Sequence, residues 1–153
     1  MKYTKEVIFI EKLISNVLLS LNQNSLFQNE AFKVYQELHF EHWVRVSLCE
    51  PNAITIIFEI SNSGLRIDMD RTEELMSFSY EYIYNNSEEI KELLFMIFTS
   101  TIMVQYCGNY LTNLYFIKNK TVQTYRYSTK LGLIRLSNNC EEKVYLSIYE
   151  MKV

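Results

Sequence analysis
The only two histidines, His39 and His42, flank Glu41, and such a pair is the first place to look for metal chemistry. On a helix this spacing puts both imidazoles on one face; on a strand it sends them to opposite faces. The alternation around them predicts a strand, so shared zinc ligation is not expected, and no metal or other cofactor is assigned. The cysteines, Cys49, Cys107 and Cys140, include no C-x-x-C pair. Neither a zinc ribbon nor a disulfide framework follows, and reduced thiols in a cytoplasmic protein are the expectation. Cys107 falls at the end of an expected helix, whose negative partial charge raises a thiol pKa and opposes a thiolate nucleophile. The carboxylate neighbours Asp68/Asp70 and Glu73/Glu74 lack the spacing of a general acid and base. Glycines stand only at Gly64, Gly108 and Gly132, too few and too scattered for a phosphate-cradling loop. The chain is therefore expected not to be an enzyme.

What remains is recognition. Acids dominate from 59 to 92, with Glu59, Asp68, Asp70, Glu73, Glu74, Glu81, Glu88, Glu89 and Glu92 against Arg66, Arg71 and Lys91. From 93 to 140 every charged residue is basic: Lys118, Lys120, Arg126, Lys130 and Arg135. Surface patches of opposite sign follow from such asymmetry. Bases interleaved with Tyr125 and Tyr127 can track a nucleic-acid backbone, but the net charge of -3 opposes that partner. The same pattern protects an ordinary edge strand. The acidic series is the stronger candidate. Asp68, Asp70, Glu73, Glu74 and Glu81 on a sheet edge can steer a cationic partner cleft and bond its Lys and Arg side chains. Tyr80, Tyr82, Tyr84 and Trp43 can serve as aromatic anchors beside them.

The elements that must hold these residues are legible from periodicity. Thr4 caps a first helix whose apolar positions Val7, Ile10, Leu13/Ile14, Val17/Leu18 and Leu21 recur at helical spacing. Ser25 and Gln28 resemble a capping box and predict a second helix over 26–37. The period then changes to two. Phe40, Val44, Val46 and Leu48, then Ile54, Ile56, Phe58 and Ile60, then Leu65, Ile67 and Met69 each share a face, with turns at 50–52 and 62–64. This predicts a three-stranded antiparallel meander. In 71–84, Phe78, Tyr80, Tyr82 and Tyr84 alternate as in a fourth strand. Residues 93–106 form the longest uncharged apolar run; with Asn86 as cap and Glu89 placed to bond back at its start, and Gly108 at its end, 86–108 predicts a central buried helix. Its uncharged part is shorter than the roughly 20 residues a bilayer needs, so no membrane span is expected. Beyond it, 110–118 and 121–129 predict a hairpin turning at Asn119-Lys120, 131–137 another strand, and Val144, Leu146 and Ile148 a last one. The N-terminus, interrupted by Glu6, Glu11 and Lys12, does not read as a signal peptide. With 153 residues, 48% hydrophobic, and 3 Gly and 1 Pro, the chain reads as one domain over 1–153. It is expected to be α+β, an antiparallel sheet packed on helices.

Small, acidic, single-domain, rich in Asn, Lys, Ile and Tyr and without a catalytic signature, the chain resembles the bacterial immunity proteins of polymorphic and contact-dependent inhibition toxin systems. The resemblance lies in this general character. It implies a tight complex with a cognate toxin domain, often a nuclease. The order helix, meander over 39–70, helix over 86–108 and further strands is also similar to class I type III secretion chaperones. That likeness implies an acidic homodimer that binds an extended effector segment.

Overall fold
The computed structural model describes residues 3–38, 42–72, 75–108, 111–128 and 140–149. Helix α1 (Lys5–Ser20) begins as expected at Thr4, whose Oγ1 accepts from the Val7 amide at 3.3 Å. Val7, Ile10, Leu13, Ile14, Val17 and Leu18 form its buried stripe. The chain then leaves helix at Asn22, which takes a left-handed φ of 58°, a conformation that Asn tolerates well.

The second helix is corrected to a single 3-10 turn, Leu26–Gln28. The Ser25–Gln28 pair does meet, but as a side-chain bond of 3.1 Å, and the Ser25 hydroxyl caps no backbone N–H. The Leu26 amide takes Ser15 Oγ instead. After it, β1 (Phe32–Leu38) alternates apolar and polar residues and pairs with β2 (His42–Leu48).

The expected meander is present as β2, β3 (Ile56–Ser61) and β4 (Gly64–Met69). It forms the middle of a five-stranded antiparallel sheet, in sequence order from β1 to β5 (Met76–Ser79). Val44, Val46, Phe58, Ile60, Leu65 and Ile67 line the core face and are essentially inaccessible. Gly64 is required at the β4–β5 bridge: a Cβ there would stand 2.0 Å from the Phe78 carbonyl oxygen.

The fourth strand is shorter than the alternation through Tyr84 implied. The Ser79 hydroxyl accepts from the Tyr82 amide at 3.2 Å, and this cap starts α2 (Tyr80–Asn85). Helix α3 (Ser87–Thr99) follows at once. The apolar stretch 86–108, expected as one helix, is thus half helix and half strand. Ser100 breaks it, and β6 (Thr101–Cys107) continues. Extended backbone suits β-branched Thr101, Ile102 and Val104 better than helix does. Gly108 does take a left-handed φ of 68°, but it closes a strand rather than a helix.

Strand β6 is internal to a second antiparallel sheet, ordered β8–β7–β6–β9. The expected hairpin joins β7 (Leu111–Lys118) and β8 (Thr121–Ser128). Positive φ at both Asn119 and Lys120 gives the twist that two-residue hairpins favour. The last strand, β9 (Cys140–Tyr145), is placed slightly earlier than the alternation at 144–148 implied. The expected strand over 131–137 lies outside the described residues.

The molecule is α+β, as expected. Helices α1 and α3 pack on each other, and α1 on β3 and β4. Ile90, Leu94, Ile97 and Phe98 of α3 join residues of both sheets in one hydrophobic cluster. Phe98 is central: its ring meets Phe58 at 6.1 Å, Phe32 at 6.4 Å and Tyr149 at 5.9 Å, all edge-on. Burial of each such side chain stabilises the fold by about 1.5–3 kcal/mol. Among the described residues no helix is long and apolar enough to cross a membrane.

The expectation of three reduced thiols is corrected. Cys107 and Cys140 are partners across β6 and β9 and form a disulfide, with Cα atoms 4.3 Å apart. The sequence separation of 33 hides the pairing; strand register creates it. Cys49 is free and exposed.

Candidate protein-binding surface
Of the acidic series, Asp68 and Asp70 are not exposed carboxylates on an open edge. Asp68 is 8% exposed. On its strand Arg66 lies between two acids, Nη1 at 3.3 Å from Glu59 Oε2 and Nε at 3.7 Å from Asp68 Oδ1. Glu59 and Arg66 are direct cross-strand partners, so the sheet offsets part of this acidic charge locally and weakens its field for a partner. Glu73 and Glu74 lie outside the described residues. Of Trp43, the backbone register opposite Glu37 and Ser61 is described and the side chain is not.

Asp70 turns into the seam between the sheets. It adopts φ 54° just after β4, in a turn held by Thr72, whose Oγ1 donates to the Met69 carbonyl at 2.6 Å and accepts from the Met69 amide at 3.0 Å. One carboxylate oxygen, Oδ2, is buried with no hydrogen-bond partner. Burial raises its pKa above the ordinary 3.8, and Lys143, Arg71 and the Arg71 amide partly offset that rise. Arg71 stacks 4.3 Å from the centroid of Tyr106, and the Lys143 ammonium lies 5.7 Å from the same ring. Tyr106 is 5% exposed, and its hydroxyl is also buried without a partner. Burial, with the Asp70 charge second, raises the pKa of neighbouring Tyr145. This is an electrostatic joint between β4 and the second sheet.

The tyrosines fare differently. The break from β5 into α2 carries Tyr80, Tyr82 and Tyr84 onto a helix, where they meet rings of two other elements in two groups. Phe9 of α1 meets Tyr80 at 5.9 Å and Tyr84 at 5.5 Å, and Tyr80 meets Tyr84 at 6.1 Å. Phe78 stacks on Tyr82 at 5.8 Å. Tyr84 is 60% exposed and Tyr82 39%. Carboxylates surround them: Glu81, Glu88, Glu89 and Glu92 are all exposed, and of these Glu88 pairs with Lys91 at 2.6 Å. Asn86, expected to cap α3, instead donates from Nδ2 to the Tyr82 carbonyl at 2.9 Å. Glu89, expected to bond back to Asn86, accepts from the Tyr82 hydroxyl at 3.0 Å. That bond, then desolvation and the Glu89 charge, raise the Tyr82 pKa. The two side chains thus fix α2 against α3 and hold the ring in place.

Residues 80–92 therefore present rigid, partly exposed rings within a mostly acidic rim. Sequence reasoning names Tyr80, Tyr82 and Tyr84 but misses Phe9. The clue was Ser79 as a helix cap, which puts Tyr80 and Tyr84 on one helix face beside Phe9 and turns Tyr82 to the other, against Phe78. In the basic segment Lys120 is exposed, but Lys118 is less available than its sequence implied. The Lys118 ammonium donates to Thr99 Oγ1 at 2.8 Å and lies 4.3 Å from the Phe95 ring centroid. The Tyr125 ring packs edge-on against Phe116 at 5.4 Å. Among the described residues no three of His, Cys, Asp and Glu converge as a metal site. His39 lies outside them.

Comparison with protein-family models, curated proteins and solved structures returns no match.

Proposed function
We propose that this protein is an immunity-type binder that neutralises a cognate bacterial toxin domain by covering its active site or substrate-binding surface, without catalysis. The observation that carries the reading is the pair of ring groups on α2, Tyr80 and Tyr84 held against Phe9 and Tyr82 stacked on Phe78, in a segment that also exposes Glu81, Glu88, Glu89 and Glu92. Rigid aromatics at the centre and charges at the rim are the anatomy of a protein-binding hot spot. The acids would speed association with a basic, nucleic-acid-binding cleft. The site is thus moved from the strand edge at Asp68 and Asp70 to the α2–α3 corner.

The chaperone alternative draws on a helix over 86–108, and that helix stops at Thr99, which leaves the alternative with less support. A cytoplasmic location agrees with immunity to a toxin acting inside the cell. The Cys107–Cys140 bond fits an oxidising compartment better. Thiol counting on protein taken directly from cells decides between them.

The test is capture of the partner by the purified chain, with mass spectrometry, followed by affinity measurement. Tyr84→Ala and the double reversal Glu81→Lys/Glu92→Lys should each weaken binding by about tenfold or more. Asp68→Lys should act mainly on stability. If the α2–α3 variants bind unchanged, the surface is rejected. If the captured partner is a substrate that the chain consumes, the binder reading fails altogether.

A further inference from the structure
The two sheets end in four edge strands, β1, β5, β8 and β9. An edge strand holds out unpaired N–H and C=O groups, and proteins blunt it with charges, proline, a bulge or short length. Three of the four are blunted. Strand β5 has four residues, β9 carries Glu141, Glu142 and Lys143 in a row, and β1 carries Lys33 and Glu37. Strand β8 is different. It is eight residues long, contains no proline, glycine or acid, and holds one charge, Arg126. It pairs with β7 one-to-one over its whole length, without a bulge. Its Thr, Val and Tyr residues are strong strand formers, and Thr121, Val122, Gln123 and Thr124 are all exposed. A long, flat, weakly charged edge of this kind is a template for another strand. Chain length keeps the protein's own connection off it. Ser128, Leu111, Cys107 and Cys140 lie in one row across the sheet, so the eleven residues 129–139 have to lead from one edge to the other. A run back beside β8 as far as Thr124 would end about 24 Å from Cys140, and the few residues left reach only about 18 Å.

Charge and symmetry identify the occupant. A foreign strand is selected by side-chain pockets or by opposite charge, and a single cation gives little to select with. The strand does match itself. When two copies of 121–127 are laid antiparallel about a two-fold axis at Thr124, that residue opposes its own counterpart, and Thr–Thr is a favourable cross-strand pair. In the same register Gln123 opposes Tyr125, Val122 opposes Arg126 and Thr121 opposes Tyr127. The two Arg126 positions then stand about 14 Å apart, beyond the screening length of about 8 Å, so no like charges meet. We infer that β8 pairs antiparallel with β8 of a second copy about this axis, joining two four-stranded sheets into one continuous sheet. Such an interface is isologous and closed. The edges that remain are the blunted ones, so growth stops at the dimer. This interface lies on a different element from the α2–α3 surface and stands whether or not that reading does.

The experiment is sedimentation velocity of the full chain from about 5 µM to about 500 µM, the range in which an interface smaller than the standard size associates. The parent should pass from monomer to dimer with no larger species. Amide exchange at 121–124 should slow in step with concentration, a readout that needs no variant. Thr124→Lys and Thr124→Glu, each at an exposed position, should weaken dimerisation about tenfold or more, because equal charges meet on the axis. Mixing the two variants should restore association, since opposite charges then meet. Tyr84→Ala should leave dimerisation unchanged. A monomer throughout the range overturns the pairing, whether the edge is then open, covered within the chain or taken by a strand of another protein. So does a dimer that both charge variants leave intact, a dimer that Tyr84→Ala abolishes, or a mixture of the charge variants that stays monomeric.

Discussion

Cys107 and Cys140 face each other across β6 and β9, with Cα atoms 4.3 Å apart and their sulfurs joined. The bond ties the last described strand to the middle of the second sheet and closes a loop around the β7–β8 hairpin. Closing a loop of this size removes unfolded-chain entropy worth on the order of 3–4 kcal/mol. Cys107→Ser/Cys140→Ser should lower the denaturant midpoint accordingly. A thiol assay should find one reactive group, Cys49, in the native oxidised protein, and three after reduction and unfolding. Three reactive thiols without reductant would show that the link does not form.

Asp70 gives a pH signature. Its folded pKa lies above the ordinary 3.8, because burial outweighs the help of Lys143 and Arg71. Below that raised value the folded state holds a proton that the unfolded chain releases more readily. This group's contribution to stability therefore rises as pH falls from neutral through the folded pKa, and is complete below 3.8. Asp70→Asn keeps the shape, tolerates the left-handed backbone and cannot ionise. It should be at least as stable as the parent at pH 7 and lack this pH-dependent component in urea titrations across pH 4–7. A loss of stability at pH 7 would mean that the ionised carboxylate is needed by Arg71 and Lys143.

Phe98 joins α3 to the first sheet through Phe58 and Phe32 and to the segment after β9 through Tyr149. Phe98→Ala should cost about 3–5 kcal/mol, a large part of the roughly 5–15 kcal/mol that holds a domain folded. Thermal melts should show a lower midpoint, or no folded baseline at all. A shift of only a few degrees would place the true centre of the core elsewhere.

Gly64→Ala should detach β5. The new Cβ would lie 2.0 Å from Phe78 O, a backbone atom with no rotamer to yield. A cost of at least about 2 kcal/mol is expected, with faster amide exchange at Tyr80, whose N–H bonds the Ser63 carbonyl at 2.8 Å. Unchanged exchange there would show that the bridge adapts.

Much of the fold could be read from period alone. The meander announced itself because Val44/Val46, Phe58/Ile60 and Leu65/Ile67 alternate strictly with polar partners, and one buried face demands that pattern. The errors came where a continuous apolar run removes the contrast. Along 93–106 every position is compatible with a buried helix or a buried strand, and only the small buried Ser100 marks the change. The 26–37 error had another cause: a correct local bond, Ser25 to Gln28, was read as the start of a helix that β2 pairing overrode. The candidate surface was half legible, because residue types and charge can be counted along a chain. Which acids stay exposed depends on cross-strand partners such as Arg66, and those are set by register.

Tyr149 is buried against Phe98, and its hydroxyl accepts from Asn29, 120 positions earlier in the chain. During synthesis the first helix and the meander emerge long before this ring does. The centre of the molecule therefore stays open to solvent until nearly everything described here has left the ribosome exit tunnel. Arrested nascent chains ending before that tyrosine should bind chaperones and succumb to protease, while release of a slightly longer product should bring resistance in one step.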